Sequence, residues 1–168
     1  MKRNLPQMYL DFLHLPHNPE SRSSVDFPAS EYRRLGRELT KLSGIELNAE
    51  PLRGAIALYN RNRGLIRQLS QMRTEAPHLL RTSELYLLVR AGNFLPVEEH
   101  TRILEMAVER FPWRPSKPRD SVRVVVEGSF CERPPLALIR LLEEAGCYVV
   151  EDDFGLGQRW FEDRKSVV

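Results

Sequence analysis

Cysteine is scarce in this sequence, since only Cys131 and Cys147 occur among its 168 residues. Two thiols do not make the dense disulfide framework that holds small secreted domains together. Lys2 and Arg3 resemble the start of a signal peptide, but Pro6 and Asp11 interrupt any apolar stretch behind them. We therefore expect a protein of a reducing compartment, the cytoplasm.

Long apolar runs and a strong charge imbalance are also lacking. No stretch approaches the about 18 apolar residues of a membrane span. The 25 basic and 23 acidic residues give a formal net charge of only +2, which is too small a field to recruit nucleic acid or an anionic membrane. Hydrophobic residues make up 42% of the chain, enough for a core, so we predict a globular protein with neither of these partners.

The pattern along the chain predicts four segments. Residues 1–28 form an irregular lead-in with several prolines, in which residues 8–15 are one short candidate strand. Residues 29–111 are a helical segment, residues 112–120 a proline-rich connector, and residues 121–168 the start of an α/β lobe. We expect Trp113 to anchor the connector against the fold.

Apolar residues at helical spacing predict four helices in the helical segment. The first begins at Ser30 and ends at Gly44, and the second runs from a cap at Asn48 to about Thr74. The third is capped by Thr82 or Ser83 and stops at Gly92, and the fourth opens at Leu95 and Pro96. The buried stripe of the second helix is predicted to contain Leu52, Ile56, Tyr59, Ile66, Leu69 and Met72.

A strand, a helix and a second strand follow each other after Ser121. Residues 122–126 alternate as a strand, residues 135–145 read as a helix, Gly146 ends it, and the run from Cys147 reads as the second strand. A βαβ unit has parallel strands. Ligands bind at the carboxyl ends of such strands, where we expect Cys131, Asp152 and Asp153 to face one rim.

Cys131 is the sharpest chemical feature. It follows Gly128 in a short loop and precedes a helix, whose N-terminus favours a thiolate. A thiolate there can act as a nucleophile, a redox thiol or a metal ligand, and an inert buried thiol is the alternative. No histidine follows His100 to serve as a base, and Cys147 is expected at the opposite end of the sheet. A metal bound by Cys131 would therefore need ligands from outside this chain, or from a part of the protein not included in it.

Three other groups of residues carry weaker hypotheses. Asp152 and Asp153 suit a magnesium ion, or equally helix caps and turn residues. His14 and His17 are spaced like metal ligands, but packing or surface roles are the ordinary alternative. The long helix also carries a set of arginines that forms either a phosphate-binding face or, more commonly for such residues, a solvated face: Arg61, Arg63, Arg67 and Arg73.

Several motifs, in order, resemble one known family. They are LRGAIALYNRNR at 52–63, VRAGNFLP at 89–96, EEH at 98–100, GSFCERPP at 128–135 and the acidic pair at 152–153. Together they are similar to the 2-hydroxyacyl-CoA dehydratase component D family, which includes the benzoyl-CoA reductase substrate-binding subunits. The run DDFGLGQRWF at 152–161 resembles the reductase branch more closely.

The resemblance implies Rossmann-like lobes joined by a helical segment, a 4Fe-4S cluster held by cysteines, and a heterodimer of two related subunits that binds an acyl-CoA. Electrons from a separate ATP-hydrolysing activator would drive radical dehydration or ring reduction of the thioester. By position in the motif, Cys131 would be one cluster ligand, with Gly128 and Ser129 shaping the turn beside it. No side chain of this chain is assigned a catalytic role.

The resemblance also implies a longer protein, since family members are about twice this length. We therefore interpret the chain as a middle piece of such a subunit, inactive alone, with an incomplete parallel sheet and one ligand of a shared cluster. A non-catalytic assembly or scaffold protein with an inert Cys131 is the rival interpretation. A small thiol enzyme with Cys131 as its nucleophile is a third.

Overall fold

The computed structural model describes residues 7–14, 23–127 and 134–154. Five helices, a short 3₁₀ turn and two strands lie in these ranges; in chain order they are α1 (Ser23–Ser43), α2 (Ala49–Glu75), α3 (Thr82–Ala91), α4 (Val97–Arg110), the turn (Phe111–Trp113), β1 (Val122–Val126), α5 (Leu136–Glu144) and β2 (Cys147–Asp152). The chain divides into two compact units, Met1–Gly54 and Ala55–Val168.

In the first unit, α1 begins well before the predicted start at Ser30. Pro28 lies inside the helix, where it removes one backbone donor without ending the helix. Ser30 does not cap a helix, and its hydroxyl donates to the carbonyl of Phe27 at 2.7 Å. The predicted end is confirmed, because Gly44 follows the last turn with a φ of 70° and its N–H donates to the carbonyl of Thr40.

The candidate strand at 8–15 is wrong over its described residues, 8–14, which have no strand conformation. An ionic cluster, not a neighbouring strand, holds this segment. Arg34 donates to Asp11 at 2.8 Å and to Glu31 at 3.1 Å. The hydrogen bond from Arg34 lowers the pKa of Asp11 to about 2, so this clasp persists across the physiological pH range.

Helix α2 follows its predicted bounds closely, but only the second half of its stripe is buried. Ile66 and Leu69 are fully buried, whereas Leu52, Ile56 and Tyr59 remain about half exposed, at 46–52%. The periodicity therefore located the apolar face without showing how much of it is covered.

The helical core of the second unit lies among α2, α3 and α4. Its buried members are Ile66, Leu69, Leu80, Leu85, Val89, Leu104 and Ala107. The predicted bounds of α3 and α4 are confirmed to within one or two residues, which is the ordinary uncertainty of helix ends. The predicted cap is wrong, because the N-cap residue is Arg81 and both Thr82 and Ser83 lie within the first turn. The backbone N–H of Arg81 donates to the Glu84 carboxylate at 3.1 Å.

Trp113 does not anchor the connector, because it is 85% exposed. The neighbouring residue does so instead. The Arg114 guanidinium lies 4.0 Å from the centre of the Phe111 ring and donates to the Glu84 carboxylate at 2.8 Å. A ring contact and an ion pair hold Arg114 in place without burial of an apolar side chain. The hydrophobic pattern of the sequence does not reveal these two contacts.

The predicted strand–helix–strand unit is confirmed: β1 and β2 pair in parallel, with Val124 opposite Val149. The register shifts after Val124, so that Val125 pairs with Glu151 and one residue of β2, Val150, is left as a bulge. Gly146 ends α5 with a φ of 88°. The structure is thus α/β with a small parallel sheet. Its Rossmann-like continuation and the four-part division of the chain stay predictions.

Candidate functional site

The candidate site is the rim where both strands end. Val126, the last residue of β1, lies opposite Asp152, the last residue of β2, and the N–H of Asp153 donates to the Val126 carbonyl at 3.0 Å. The chain leaves β1 at this rim toward the loop that carries the predicted ligand. That loop, with Gly128, Ser129 and Cys131, lies outside the described residues.

A buried ion pair forms the floor of the rim. Arg73 of α2 donates through Nη1 to Oδ2 of Asp152, and each side chain is only 2% exposed. The other carboxylate oxygen accepts the N–H of Phe154 at 3.0 Å. Within the described part of the chain, Nε of Arg73 is a buried donor without a hydrogen-bond partner. Such a pair is costly to desolvate, so it fixes geometry more than it adds stability.

This pair overturns two interpretations of the sequence. Asp152 does not fit a magnesium ligand, since a guanidinium and a backbone N–H already engage its carboxylate. Arg73 is not part of a solvated or phosphate-binding face. The spacing contained a signal for this, because Arg73 lies four positions after Leu69 and therefore on the stripe that α2 buries.

Hydroxyl groups from the helices fasten the sheet beneath the rim. Thr82 donates to the carbonyl of Val149 at 2.6 Å, and Thr74 donates to the carbonyl of Val150 at 2.8 Å. Successive carbonyls of a strand normally point to opposite edges. The bulge at Val150 allows both carbonyls to accept hydrogen bonds from helical side chains. These bonds fix the position of β2 against α2 and α3.

A cavity in the second unit lies at the other end of the strands. It measures about 770 Å³ and is lined by residues that precede or open the strands, such as Ser121, Gly146 and Cys147. Cys147 is the first residue of β2, which confirms that it lies at the amino end. The N-terminal turn of α3 lines this cavity, and its Ser83 donors are already occupied. The Glu143 carboxylate accepts from the N–H and the hydroxyl of Ser83 at 2.8 and 2.7 Å.

The donor set does not fit a complete iron–sulfur cluster. A 4Fe-4S cluster is held by about four thiolates, and this chain has two cysteines, of which Cys147 opens β2 and Cys131 lies outside the described residues. Among residues 7–14, 23–127 and 134–154, no group of three or more histidine, cysteine, aspartate or glutamate side chains is arranged to hold a metal ion. His14 packs edge-on against Phe12 at 4.6 Å, and its candidate partner His17 lies outside the described residues.

Three of the quoted motifs meet in one contact. Nδ2 of Asn62, in the first motif, donates to Nδ1 of His100 at 3.1 Å and to the hydroxyl of Thr101 at 2.9 Å. Nε2 of His100 lies 2.9 Å from the carbonyl of Leu88, so this nitrogen carries the proton. Gly92, in the second motif, packs directly against the imidazole ring. These motifs join α2, α3 and α4 and do not contribute side chains to the rim.

The family model of the 2-hydroxyglutaryl-CoA dehydratase D-component matches residues 1–167. The chain belongs to this family. It is 34% identical over 98% of its length to a subunit of the benzoyl-CoA reductase of Thauera aromatica, and 26% identical over 86% to the beta subunit of the lactoyl-CoA dehydratase of Anaerotignum propionicum. It is 24% identical over 96% to the beta subunit of (R)-2-hydroxyglutaryl-CoA dehydratase of Acidaminococcus fermentans.

This member of the D-component family spans only part of these relatives. The matches cover 43%, 38% and 41% of the three proteins, in the same order. The relatives are named as subunits, so the family consists of components of larger enzymes. In the described part of the chain, no helix has the length and apolarity to cross a membrane.

Proposed function

We propose that this chain is part of the substrate-binding subunit of an acyl-CoA reductase or dehydratase, and that it contributes Cys131 as one ligand of a 4Fe-4S cluster. The observation that supports this most directly is the family match over nearly the whole chain. It is combined with a βαβ unit whose strands end side by side and whose first strand is followed in sequence by the segment that contains Cys131. The cluster's other ligands would come from outside these 168 residues.

The residues of this chain would have a positioning role. Arg73 and Asp152 fix the end of β2, and the Val126–Asp153 hydrogen bond fixes the end of β1. The loop that follows β1 therefore starts from a rigid base. A cluster would supply one-electron chemistry to a CoA thioester, with electrons from an ATP-dependent activator and with a related second subunit as the partner. The chain alone is then expected to be inactive.

The proposal is tested by anaerobic reconstitution with iron and sulfide. The isolated chain should bind far fewer than about four irons and lack the broad visible absorbance of a cluster, because it has too few thiolates. When it is co-expressed with the residues of the Thauera subunit that the match leaves out, the complex should acquire the cluster. Cys131→Ser should remove most of the bound iron from that complex.

Cys147→Ser is the matched control, since Cys147 opens β2 at the opposite end of the sheet and should leave the iron content unchanged. The opposite pattern, in which iron depends on Cys147 and not on Cys131, would refute the assignment. So would a full cluster in the isolated monomer. Unchanged iron in both variants would favour the scaffold interpretation, with an inert Cys131.

A further inference from the structure

The cavity at the amino ends of the strands, here called the amino-end cavity, has three walls that are tied to one another. The hydroxyl of Ser116, in the connector, donates to the carbonyl of His78, before α3, at 2.8 Å. The backbone N–H of Arg119, also in the connector, donates to the hydroxyl of Tyr148 in β2 at 3.0 Å. The carboxylate that occupies the first turn of α3 ties this helix to α5. The cavity is therefore formed before a ligand enters, which lowers the free-energy cost of binding.

Basic residues line the amino-end cavity from all three walls. One precedes α3, two belong to the connector and one belongs to α5: Arg81, Lys117, Arg119 and Arg140. The ion pairs among the described residues involve other side chains, so in that part of the chain no carboxylate neutralises these four cations. Like charges gathered around one cavity attract a counter-anion into it.

The acidic residues of the lining do not cancel this charge. Glu84 and Glu143 are already engaged, the first by an arginine outside the lining and the second by the first turn of α3. Asp120 and Glu144 remain against the four cations, which leaves an excess of two positive charges. A ligand that carries two or three negative charges would balance this excess.

The size of the cavity and its donors together indicate the class of ligand. A volume of about 770 Å³ lies within the range of sites for small organic molecules. Guanidinium groups bind phosphate through paired hydrogen bonds, and lysine adds a compact charge. We propose that the amino-end cavity binds an organic phosphate with two or more negative charges, of about the size of a nucleoside diphosphate.

This site is distinct from the rim assigned to the cluster and its thioester substrate. The six residues of β2 separate the two ends of the sheet by about 15–20 Å at about 3.3 Å per residue. The ligand of the amino-end cavity is therefore a separate small molecule, and its binding does not require the cluster.

The test uses the full chain with Cys131→Ser, in which Cys147 is the remaining thiol and lines the cavity. ADP is the probe, and isothermal titration calorimetry should give a Kd below about 1 mM that rises with salt concentration. Adenosine, which lacks the phosphates, should not bind. ADP at ten times its Kd leaves about one tenth of the sites empty and should slow alkylation of Cys147 by iodoacetamide about tenfold.

Lys117→Gln combined with Arg140→Gln removes one cation from each of two walls. This double variant should weaken ADP binding at least about tenfold, because charge-assisted hydrogen bonds to phosphate are lost. Arg102→Gln combined with Arg110→Gln is the matched control, since it removes the same charge from α4, outside the lining, and should bind ADP like the parent. All four side chains belong to exposed residues, so both variants should fold, as circular dichroism and urea unfolding check.

The amino-end site is refuted if ADP does not bind, if it binds without slowing alkylation of Cys147, or if both double variants weaken it equally. Citrate that binds as tightly as ADP would overturn the assignment to phosphate. Acetyl-CoA that binds more tightly than ADP and protects Cys147 would overturn the separate ligand, because the cavity would then hold part of the thioester. The iron content of the complex is measured independently, so failure of this site leaves the role of Cys131 untouched.

Discussion

At the scale of single residues, charged and polar side chains decide features that hydrophobic patterns leave open. The spacing of α2 placed Arg73 on a buried stripe, yet arginines with long stems are usually read as surface residues. The structure resolves this by pairing Arg73 with Asp152, both nearly inaccessible. The partner was unpredictable, because the two residues are 79 positions apart in sequence and nothing local links them.

Removing one member of this pair should be more damaging than removing both. Asp152→Asn or Arg73→Met leaves a buried charge without its counter-charge, and we expect a loss of about 3–5 kcal/mol in the free energy of unfolding. The double variant Arg73→Met, Asp152→Leu replaces the pair by apolar side chains and should recover most of that loss. Urea unfolding followed by circular dichroism measures all three.

Arg61→Met is the control for this series, because Arg61 pairs with Glu105 at the surface, where the side chains are 68% and 36% exposed. It should change stability by less than about 1 kcal/mol. Additive losses in the double variant would show that the two charges act independently, contrary to the structure.

At the scale of secondary-structure elements, the sequence predicted most helices and strands but not what holds them together. Periodicity located α2 to α5 and both strands, and the glycines at 44 and 146 located the ends of α1 and α5, because those signals are local. The predicted start of α1 is wrong, because a proline such as Pro28 favours a loop and here lies inside the helix. The threonine hydroxyls that fasten β2 to α2 and α3 were not foreseen, because the bulge at Val150 that makes them possible has no sequence signature.

The contact between Gly92 and His100 predicts that even alanine at position 92 destabilises the protein. Gly92 has an ordinary φ of −63°, so glycine is not required there for its backbone. A Cβ at Gly92 would lie 2.6 and 2.7 Å from atoms of the His100 ring, and that ring is held by Asn62 and Leu88. Gly92→Ala should therefore cost about 1–3 kcal/mol in the free energy of unfolding.

Gly64→Ala, in the same unit, is expected to have the opposite effect on stability. Gly64 lies within α2 with nothing within 4 Å of the added Cβ, so alanine should stabilise the helix by up to about 1 kcal/mol. Thermal or urea unfolding of the two variants compares them directly. Equal effects of the two substitutions would mean that the imidazole ring moves aside and that the three motifs do not form a rigid contact.

At the scale of the whole molecule, the motifs identified the family because they occur in order over most of the chain. Composition and periodicity alone do not identify a family. At the rim, the sequence predicted where the two strands end but not which side chains lie beneath those ends. The buried ion pair of the rim depends on contacts distant in sequence, and the three cluster-associated positions at 128, 129 and 131 stay predictions. What the structure adds is an imbalance between the two strands: helical side chains bond to the carbonyls of β2, whereas Val122 and Val125 of β1 are 67% and 53% exposed.

That imbalance predicts how the isolated chain behaves in solution. Exposed apolar side chains around β1 and α5 should bind a hydrophobic dye such as anilinonaphthalene sulfonate even though the helical core is packed. Leu138→Gln with Leu141→Gln should lower dye fluorescence by about twofold while changing stability by less than about 1 kcal/mol, because these side chains are 48% and 61% exposed. A double variant that unfolds at markedly lower urea would show instead that both leucines are packed in the isolated chain.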